Sequence, residues 1–256
     1  MISAPDRQTC AEAPPAVFRL PKAGSSAAEY EDAVAWSRHA RRYAVADGAS
    51  ASAFARLWAY LLVHAYTAGR LRAEQLEDDL APVQARWAEL VERRPLAWYA
   101  LEQARRGAFA ALVGLSLAPD GTWSALAVGD CCLFQVRDAQ LVVAFPLQSP
   151  EAFHQRPLLL GSRQAANTAL RAAEAVGTTS GTWQRGDAFL LMSDALAAAF
   201  LEAVRGRSAA SPLASLDFPP TPAGFRAWVR SLRSQQRLRN DDVSLLWLSV
   251  ATDAAA

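Results

Sequence analysis

Short apolar runs bounded by turn residues recur along most of this 256-residue chain. Between residues 109 and 145 four such runs follow one another, separated by turns rich in Asp and Gly, which predicts a meander of antiparallel strands. Two further apolar runs flank the basic segment 38–42 and predict a strand pair joined by a turn. So many short strands need sheets whose apolar faces are covered by other elements.

Helical patterns alternate with these strand regions. Residues 52–70 carry apolar side chains at helical spacing, and so do residues 72–106, where Pro82 and Pro95 are expected to interrupt the helix. No strand separates these helices, which excludes the strict alternation of a doubly wound fold. The later part of the chain is predicted to hold an irregular segment (146–187), strands (189–192, 243–250), a loop (205–222) and helices (194–204, 225–237).

The fold class expected from this order is α+β, with sheets covered by helices. We expect one domain over residues 16–251, preceded by a flexible N-terminal arm (1–15) and followed by a short tail (252–256). Hydrophobic residues make up 52% of the chain and charged residues 20%, so a core of ordinary size can form without disulfides.

Charge and cysteine content restrict the function classes. The net charge of +1 argues against a nucleic-acid partner and against a polybasic membrane anchor. The N-terminus lacks the basic and apolar regions of a signal peptide, and the apolar run 54–66 is too short to cross a bilayer. The three cysteines are Cys10, Cys131 and Cys132, a poor disulfide framework that predicts a reducing compartment, so we expect a cytoplasmic protein.

Aspartates stand at the edges of five apolar runs. They are Asp32, Asp47, Asp130, Asp194 and Asp241. Carboxylates are hard oxygen ligands that suit Mg²⁺ or Mn²⁺, and several of them together repel one another unless a cation is bound. Two such ions could clamp a phosphoryl group. Taken singly, each aspartate is also explained as a turn residue or helix cap, and Asp194 could simply cap the helix that it precedes.

Five motifs in order give the aspartates a common context. They are YEDAVAW (30–36), YAVADG (43–48), LAVGDCC (126–132), GDAFLLMSDAL (186–196) and NDDVSLLWL (240–248). Their order and separation resemble the metal-dependent protein phosphatase family, type 2C, in a bacterial-like variant. The resemblance covers nearly the whole chain. It implies two antiparallel sheets packed as a sandwich and flanked by helices.

The same resemblance implies a metal site for two Mn²⁺ or Mg²⁺ ions. Asp47 would bridge both ions, and the Gly48 carbonyl would ligate one of them. Asp194 and Asp241 would complete the ligands of the other ion, and these two aspartates and Asp47 would form the catalytic set. The remaining positions of the implied site are Asp32 and Glu31, which act near the metals partly through waters, and Asp130, which matches an aspartate that helps to hold a third, weaker ion.

The implied reaction is hydrolysis of phosphoserine or phosphothreonine in a phosphoprotein by a metal-activated water, with a protein kinase of the same pathway as a plausible partner. The chain departs from the family at Ala27, where members often have a phosphate-binding arginine, and at residues 49–52, where glycines are usual. Candidate replacements for that arginine are Lys22, Arg38, Arg41 and Arg42. The alternative is a phosphatase-fold module with little or no activity that acts in protein–protein signalling.

Overall fold

The structure is a computed structural model that describes residues 14–95, 98–171, 175–205 and 221–250. The described residues form five α-helices and eleven β-strands. The helices are α1 (Ala55–Thr67), α2 (Leu76–Glu92), α3 (Trp98–Arg106), α4 (Asp194–Arg205) and α5 (Pro222–Ser234). The strands are β1 (Ala16–Leu20), β2 (Ala33–Ser37), β3 (Arg42–Gly48), β4 (Phe109–Leu117), β5 (Thr122–Val128), β6 (Cys132–Arg137), β7 (Gln140–Phe145), β8 (Leu160–Gly161), β9 (Gly177–Thr182), β10 (Ala188–Met192) and β11 (Val243–Ser249).

Two antiparallel sheets pack face to face. One sheet has the strand order β1-β11-β10-β6-β7, and the other has the order β2-β3-β4-β5-β9, with β8 pairing with β4. Alternation along β3 explains how the layers fit together. Tyr43 and Val45 point into the core between the sheets, whereas Ala44 and Ala46 point outwards to α1, where their small side chains let the helix approach. This arrangement confirms the expected α+β sandwich.

Helices cover both outer faces of the sandwich. Trp58 of α1 and Trp87 of α2 are fully buried against the sheet that contains β3, and Phe200 of α4 and Phe225 of α5 are buried against the other sheet. Burying each aromatic side chain contributes about 2–3 kcal/mol. Each sheet therefore has apolar contacts on both faces, which explains why central strands such as β10 consist of buried residues throughout. None of the described helices is long and apolar enough to span a membrane.

The predicted meander is wrong in one respect, because its strands belong to different sheets. Strands β4 and β5 pair in one sheet and β6 and β7 in the other, so the chain crosses the sandwich at residues 129–131. Gly129 has a φ of +96°, and a Cβ at this position would lie 2.6 Å from the Cβ of Ala111, so the crossing requires glycine. Cys131 and Cys132 then face opposite cores, and both are buried free thiols.

Two other expectations about the elements need correction. Helix α2 continues through Pro82, because this proline faces solvent, where water can bond the carbonyl that loses its backbone partner. Strand β9 lies within the segment expected to be irregular, and β1 was not expected as a strand. Nearly all of the predicted N-terminal arm, most of the predicted loop 205–222 and the whole predicted tail lie outside the described residues.

Candidate metal centre

The five aspartates meet at one end of the sandwich. Asp47 lies near the end of β3, and Asp32 immediately precedes β2, where Ala33 pairs with Ala46. From the other sheet, Asp194 follows β10 and Asp241 precedes β11, two antiparallel neighbours. Asp130 lies in the crossing between the sheets. Each carboxylate is therefore placed by a strand end, and together they come from both sheets.

Burial and mutual repulsion act strongly on these carboxylates. Burial, together with repulsion from Asp242 and Asp194, raises the pKa of Asp32 to about 7. The pKa of Asp47 is raised well above its ordinary range by burial and then by the charges of its neighbours, Asp32 first. Burial and the nearby Asp194 raise the pKa of Asp130 to about 6. Such a cluster is unfavourable in the ionised state unless a cation compensates it.

Asp32 supplies the sharpest test of whether a cation fits here. Its side chain is 4% exposed, and neither carboxylate oxygen accepts a hydrogen bond of ordinary geometry. The hydroxyls of Ser193 and Ser244 lie close to it and favour its ionised form, but burial outweighs them. Buried charges in proteins are paired or coordinate metals. A hard-oxygen donor set with an unsatisfied buried carboxylate fits Mg²⁺ or Mn²⁺.

The neighbouring Asp242 has a different role, which the sequence reasoning missed. Its two carboxylate oxygens accept hydrogen bonds from the backbone N–H groups of Lys22 (2.8 Å) and Glu31 (2.7 Å). It therefore ties the segment before β2 to the start of β11. Tyr30 reinforces this tie, because its hydroxyl bonds the Ser244 hydroxyl and donates to the carbonyl of Val243 at 3.3 Å. These bonds hold Glu31 and Asp32 against the other sheet.

Gly48 allows the close packing beneath the site. A Cβ at this position would lie 2.8 Å from the Glu31 carbonyl oxygen and 2.9 Å from the Ala55 carbonyl carbon at the start of α1. Neither backbone contact could yield without moving β2 or α1. The glycine of the YAVADG motif is therefore required by packing.

Two cationic side chains face the carboxylates. Arg239 donates to Asp194 Oδ2 and lies 3.2 Å from Asp241 Oδ2. Burial and Asp241 raise the pKa of Asp194, while the Arg239 guanidinium opposes that rise. On the side of Glu31, Lys22 Nζ lies 3.5 Å from Glu31 Oε2 and donates to the Ser50 hydroxyl at 3.0 Å. Sequence reasoning pointed to Lys22 and missed Arg239.

The three arginines of the β2–β3 turn lie elsewhere. Arg42 begins β3 and Asp47 is five residues further along, a separation of about 17 Å in an extended strand. Arg42 packs on the ring of Tyr66, and Arg41 packs on the ring of Trp183. Arg38 belongs to the same turn. The structure thus does not bring these three predicted phosphate-binding residues to the acidic cluster.

Within the described residues, no three His, Cys, Asp or Glu side chains are already arranged to ligate one ion. The aspartates are near enough for their charges to interact, and Arg239 engages two of them. The fold therefore brings the predicted metal ligands near one another, but their carboxylate oxygens do not converge on one position where an ion could bind.

Comparison with known proteins identifies the family. The profile of the protein phosphatase 2C family matches residues 25–240, a range that holds four of the five aspartates and ends just before Asp241. The chain belongs to the protein phosphatase 2C family. This phosphatase is accordingly a metal-dependent protein serine/threonine phosphatase, and its substrates are phosphoproteins.

Solved structures agree with the fold of this phosphatase. The catalytic domain of the serine/threonine phosphatase PstP in complex with two manganese ions is 18% identical, with a TM-score of 0.58 over 93% of this chain and 98% of that one. PppA, described as a key regulatory component of T6SS in Pseudomonas aeruginosa, is 20% identical, with a TM-score of 0.52 over 92% and 96%. MsPP from Mycobacterium smegmatis, in complex with cacodylate, is 16% identical, with a TM-score of 0.54 over 92% and 97%. No curated protein is significantly similar to the chain.

Proposed function

We propose that Asp32, Asp47, Asp194, Asp241 and the Gly48 carbonyl would hold two divalent cations, Mn²⁺ or Mg²⁺, for phosphomonoester hydrolysis. The observation that carries this assignment is the buried, unpartnered carboxylate of Asp32 beside Asp47. Asp47 would be a ligand of both ions, Asp194 and Asp241 would hold one of them, and Asp130 would help to hold a third, weaker ion. The bound ions supply Lewis-acid stabilisation and a water that is deprotonated near neutral pH.

The protein's own groups position the substrate around this centre. Lys22 lies at the rim, held between Glu31 and Ser50, and Glu31 is itself fixed through its backbone N–H by Asp242. The ammonium group of Lys22 carries three donors and its side chain is 28% exposed, so it can bind a phosphoryl oxygen that enters from solvent. Glu31 keeps that ammonium in place and acts near the metals through water.

The substrate is a protein phosphorylated on serine or threonine. We assign a signalling role in the cytoplasm, opposite a protein kinase of the same pathway. Support comes from the regulatory description of PppA, a protein of the same fold. The two buried free thiols, Cys131 and Cys132, are also in keeping with a reducing compartment.

Hydrolysis of p-nitrophenyl phosphate and of phosphothreonine peptides tests this assignment. The wild-type protein should require Mn²⁺ or Mg²⁺, and Asp47→Asn should lose activity by about 100-fold or more, because the bridging carboxylate is removed. Calorimetric titration with Mn²⁺ should show binding to the wild type and strongly weakened binding to Asp47→Asn. Asp120→Asn, a change in an exposed turn, serves as the matched control and should leave both measurements unchanged.

Two outcomes would contradict the proposal. Activity that persists in excess chelator and survives in Asp47→Asn would remove the metal assignment altogether. A folded wild-type protein that binds Mn²⁺ but hydrolyses neither substrate would instead support the alternative, a binding module in protein–protein signalling.

A further inference from the structure

Arg239 lies at this centre and has no role in the proposed reaction. It lies in the connection between α5 and β11, two residues before Asp241. Its guanidinium joins Asp194 and Asp241, which come from the neighbouring strands β10 and β11 of one sheet. One cationic group therefore bridges two carboxylates that are both assigned to the same metal ion.

Another arginine that contacts Asp241 shows a contrasting environment. Arg233 donates to the backbone carbonyls of Pro21 and Asp241, so it holds backbone segments together and leaves the carboxylates open. Arg239 contacts carboxylate oxygens instead, and 55% of its side chain is exposed. A side chain with that exposure can leave its partners without breaking the core.

We propose that Arg239 is an internal counter-ion that competes with the second divalent cation for Asp194 and Asp241 and, once displaced, binds the substrate phosphate. This proposal rests on the proposed function, because it takes these two aspartates as metal ligands. A carboxylate oxygen that accepts a charge-assisted hydrogen bond has a lone pair engaged, so a cation must displace the guanidinium before it is fully coordinated.

Displacement leaves the guanidinium close to the place where a phosphate arrives. The backbone of residue 239 is two residues from Asp241, so the released side chain remains at the rim of the centre. Guanidinium groups bind phosphate oxygens in a bidentate manner. Lys22 approaches from the side of Glu31 and Ser50, whereas Arg239 approaches from the side of Asp194 and Asp241. The Lys22 and Arg239 side chains would then both contact the phosphoryl group. Together they would replace the arginine that the family often has at the position of Ala27.

Metal binding and stability give the first test, which does not depend on activity. In chelator, Arg239→Gln should unfold at a lower temperature than the wild type, because Asp194 and Asp241 lose their counter-ion. Titration calorimetry should show that Arg239→Gln binds Mn²⁺ about three- to tenfold more tightly at one site, since the competitor is absent. In saturating Mn²⁺ the deficit in melting temperature should therefore disappear or reverse.

Substrate kinetics give the second test. At saturating Mn²⁺, kcat/KM of Arg239→Gln for a phosphothreonine peptide should fall about 10- to 100-fold, mainly through KM, because one charge-assisted contact to phosphate is lost. The kcat/KM of Arg239→Lys should lie between those of the wild type and Arg239→Gln, since lysine keeps the charge but not the bidentate geometry. Arg237→Gln is the matched control in the same connection, exposed and outside the acidic cluster, and should behave as wild type.

Three results would overturn the proposal. Unchanged or weaker Mn²⁺ binding by Arg239→Gln would rule out competition. An equal deficit in melting temperature with and without Mn²⁺ would make Arg239 a purely structural residue. Tighter Mn²⁺ binding with an unchanged KM would rule out transfer to phosphate. Absence of Mn²⁺ binding by the wild type itself would mark failure of the proposed function, which this design thereby separates from failure of the Arg239 proposal.

Discussion

The adjacent carboxylates of Asp241 and Asp242 are placed in opposite situations by their hydrogen bonds. Asp242 is 4% exposed and accepts two backbone N–H groups, so both of its oxygens are used in holding the fold. Asp241 accepts one N–H bond on Oδ1 at 3.0 Å, and its Oδ2 faces Arg239. In the sequence the two residues look equivalent. Their difference depends on donors at positions 22 and 31, more than 200 residues away.

A similar difference in hydrogen bonding separates Asp32 from Asp242, which are equally buried, and it gives a prediction for each. In chelator above pH 7, Asp32→Asn should stabilise the protein by about 1–3 kcal/mol, because it removes a buried negative charge whose burial outweighs the help of nearby hydroxyls. Asp242→Asn should destabilise it by about 1–3 kcal/mol, because the amide NH₂ would face a backbone donor. Urea unfolding of both variants measures these changes.

Mn²⁺ separates the two variants further. Asp32→Asn should lose much of the stabilisation that Mn²⁺ gives the wild type, whereas Asp242→Asn should keep most of it. Destabilisation of the metal-free protein by Asp32→Asn would show that this carboxylate is satisfied in solution and would count against a cation site beside it.

At the scale of elements, Asp187 shows that a motif aspartate can serve the fold alone. It precedes β10, is 1% exposed, and accepts bonds from Arg137 Nε (2.8 Å), Gln135 Nε2 (2.8 Å) and the Gln184 N–H (3.0 Å). These bonds join β10 to β6 and to the turn after β9. Burial alone would raise the pKa of Asp187, but the bonds outweigh it and hold that pKa below its ordinary value.

We predict that Asp187→Ala costs about 3 kcal/mol at pH 7, because the partly buried Arg137 loses its carboxylate partner and keeps only the Thr182 carbonyl. Since the folded pKa is lowered, this contribution is fully present above the unfolded value of about 4 and is lost as the pH falls through the folded value. Asp120→Ala, which removes only bonds within an exposed turn, should cost much less stability than Asp187→Ala. Equal losses in the two variants, measured by urea unfolding, would contradict this role.

Periodicity in the sequence predicts the elements that bury one continuous apolar face. It fails where strand pairing or a special backbone conformation determines the structure. Strand β9 has the sequence GTTSGT without apolar alternation, because it is an edge strand whose Gly181 lies under the ring of Trp123. Only pairing with β5 makes this segment a strand. The division of the meander between two sheets was equally hidden, because it depends on the backbone of Gly129 rather than on apolar spacing.

For the molecule as a whole, the set of aspartates could be predicted because each one stands near the start or the end of an apolar strand. Their mutual arrangement depends on how the two sheets face each other, and this information is spread over the whole core. Arg239 could not be found by that reasoning, because its segment shows no pattern of its own. The basic turn at Arg38, Arg41 and Arg42 was prominent in the sequence, yet antiparallel pairing of β2 and β3 places it at the other end of the strands.

The whole cluster leads to a prediction about pH. Asp32 and Asp130 have folded pKa values raised to about 7 and about 6, and the pKa of Asp47 is also raised well above its ordinary value. Without metal, these groups bind protons more tightly in the folded state, so their ionisation reduces stability as the pH rises from about 4 to 7. Mn²⁺ needs the same carboxylates deprotonated. The melting temperature gained from Mn²⁺ should therefore increase between pH 5 and pH 7.5.

Measuring this gain in one protein, with and without Mn²⁺ at each pH, cancels the titration of groups outside the site. For each carboxylate that Mn²⁺ must deprotonate, the apparent Kd for Mn²⁺ should rise about tenfold for every pH unit below the pKa of that carboxylate. Asp47→Asn should show a small gain at every pH and hence a nearly flat profile. A gain in the wild type that is constant from pH 5 to pH 7.5 would mean that Mn²⁺ binds away from these carboxylates, and the cluster would then need another explanation for tolerating its repulsion.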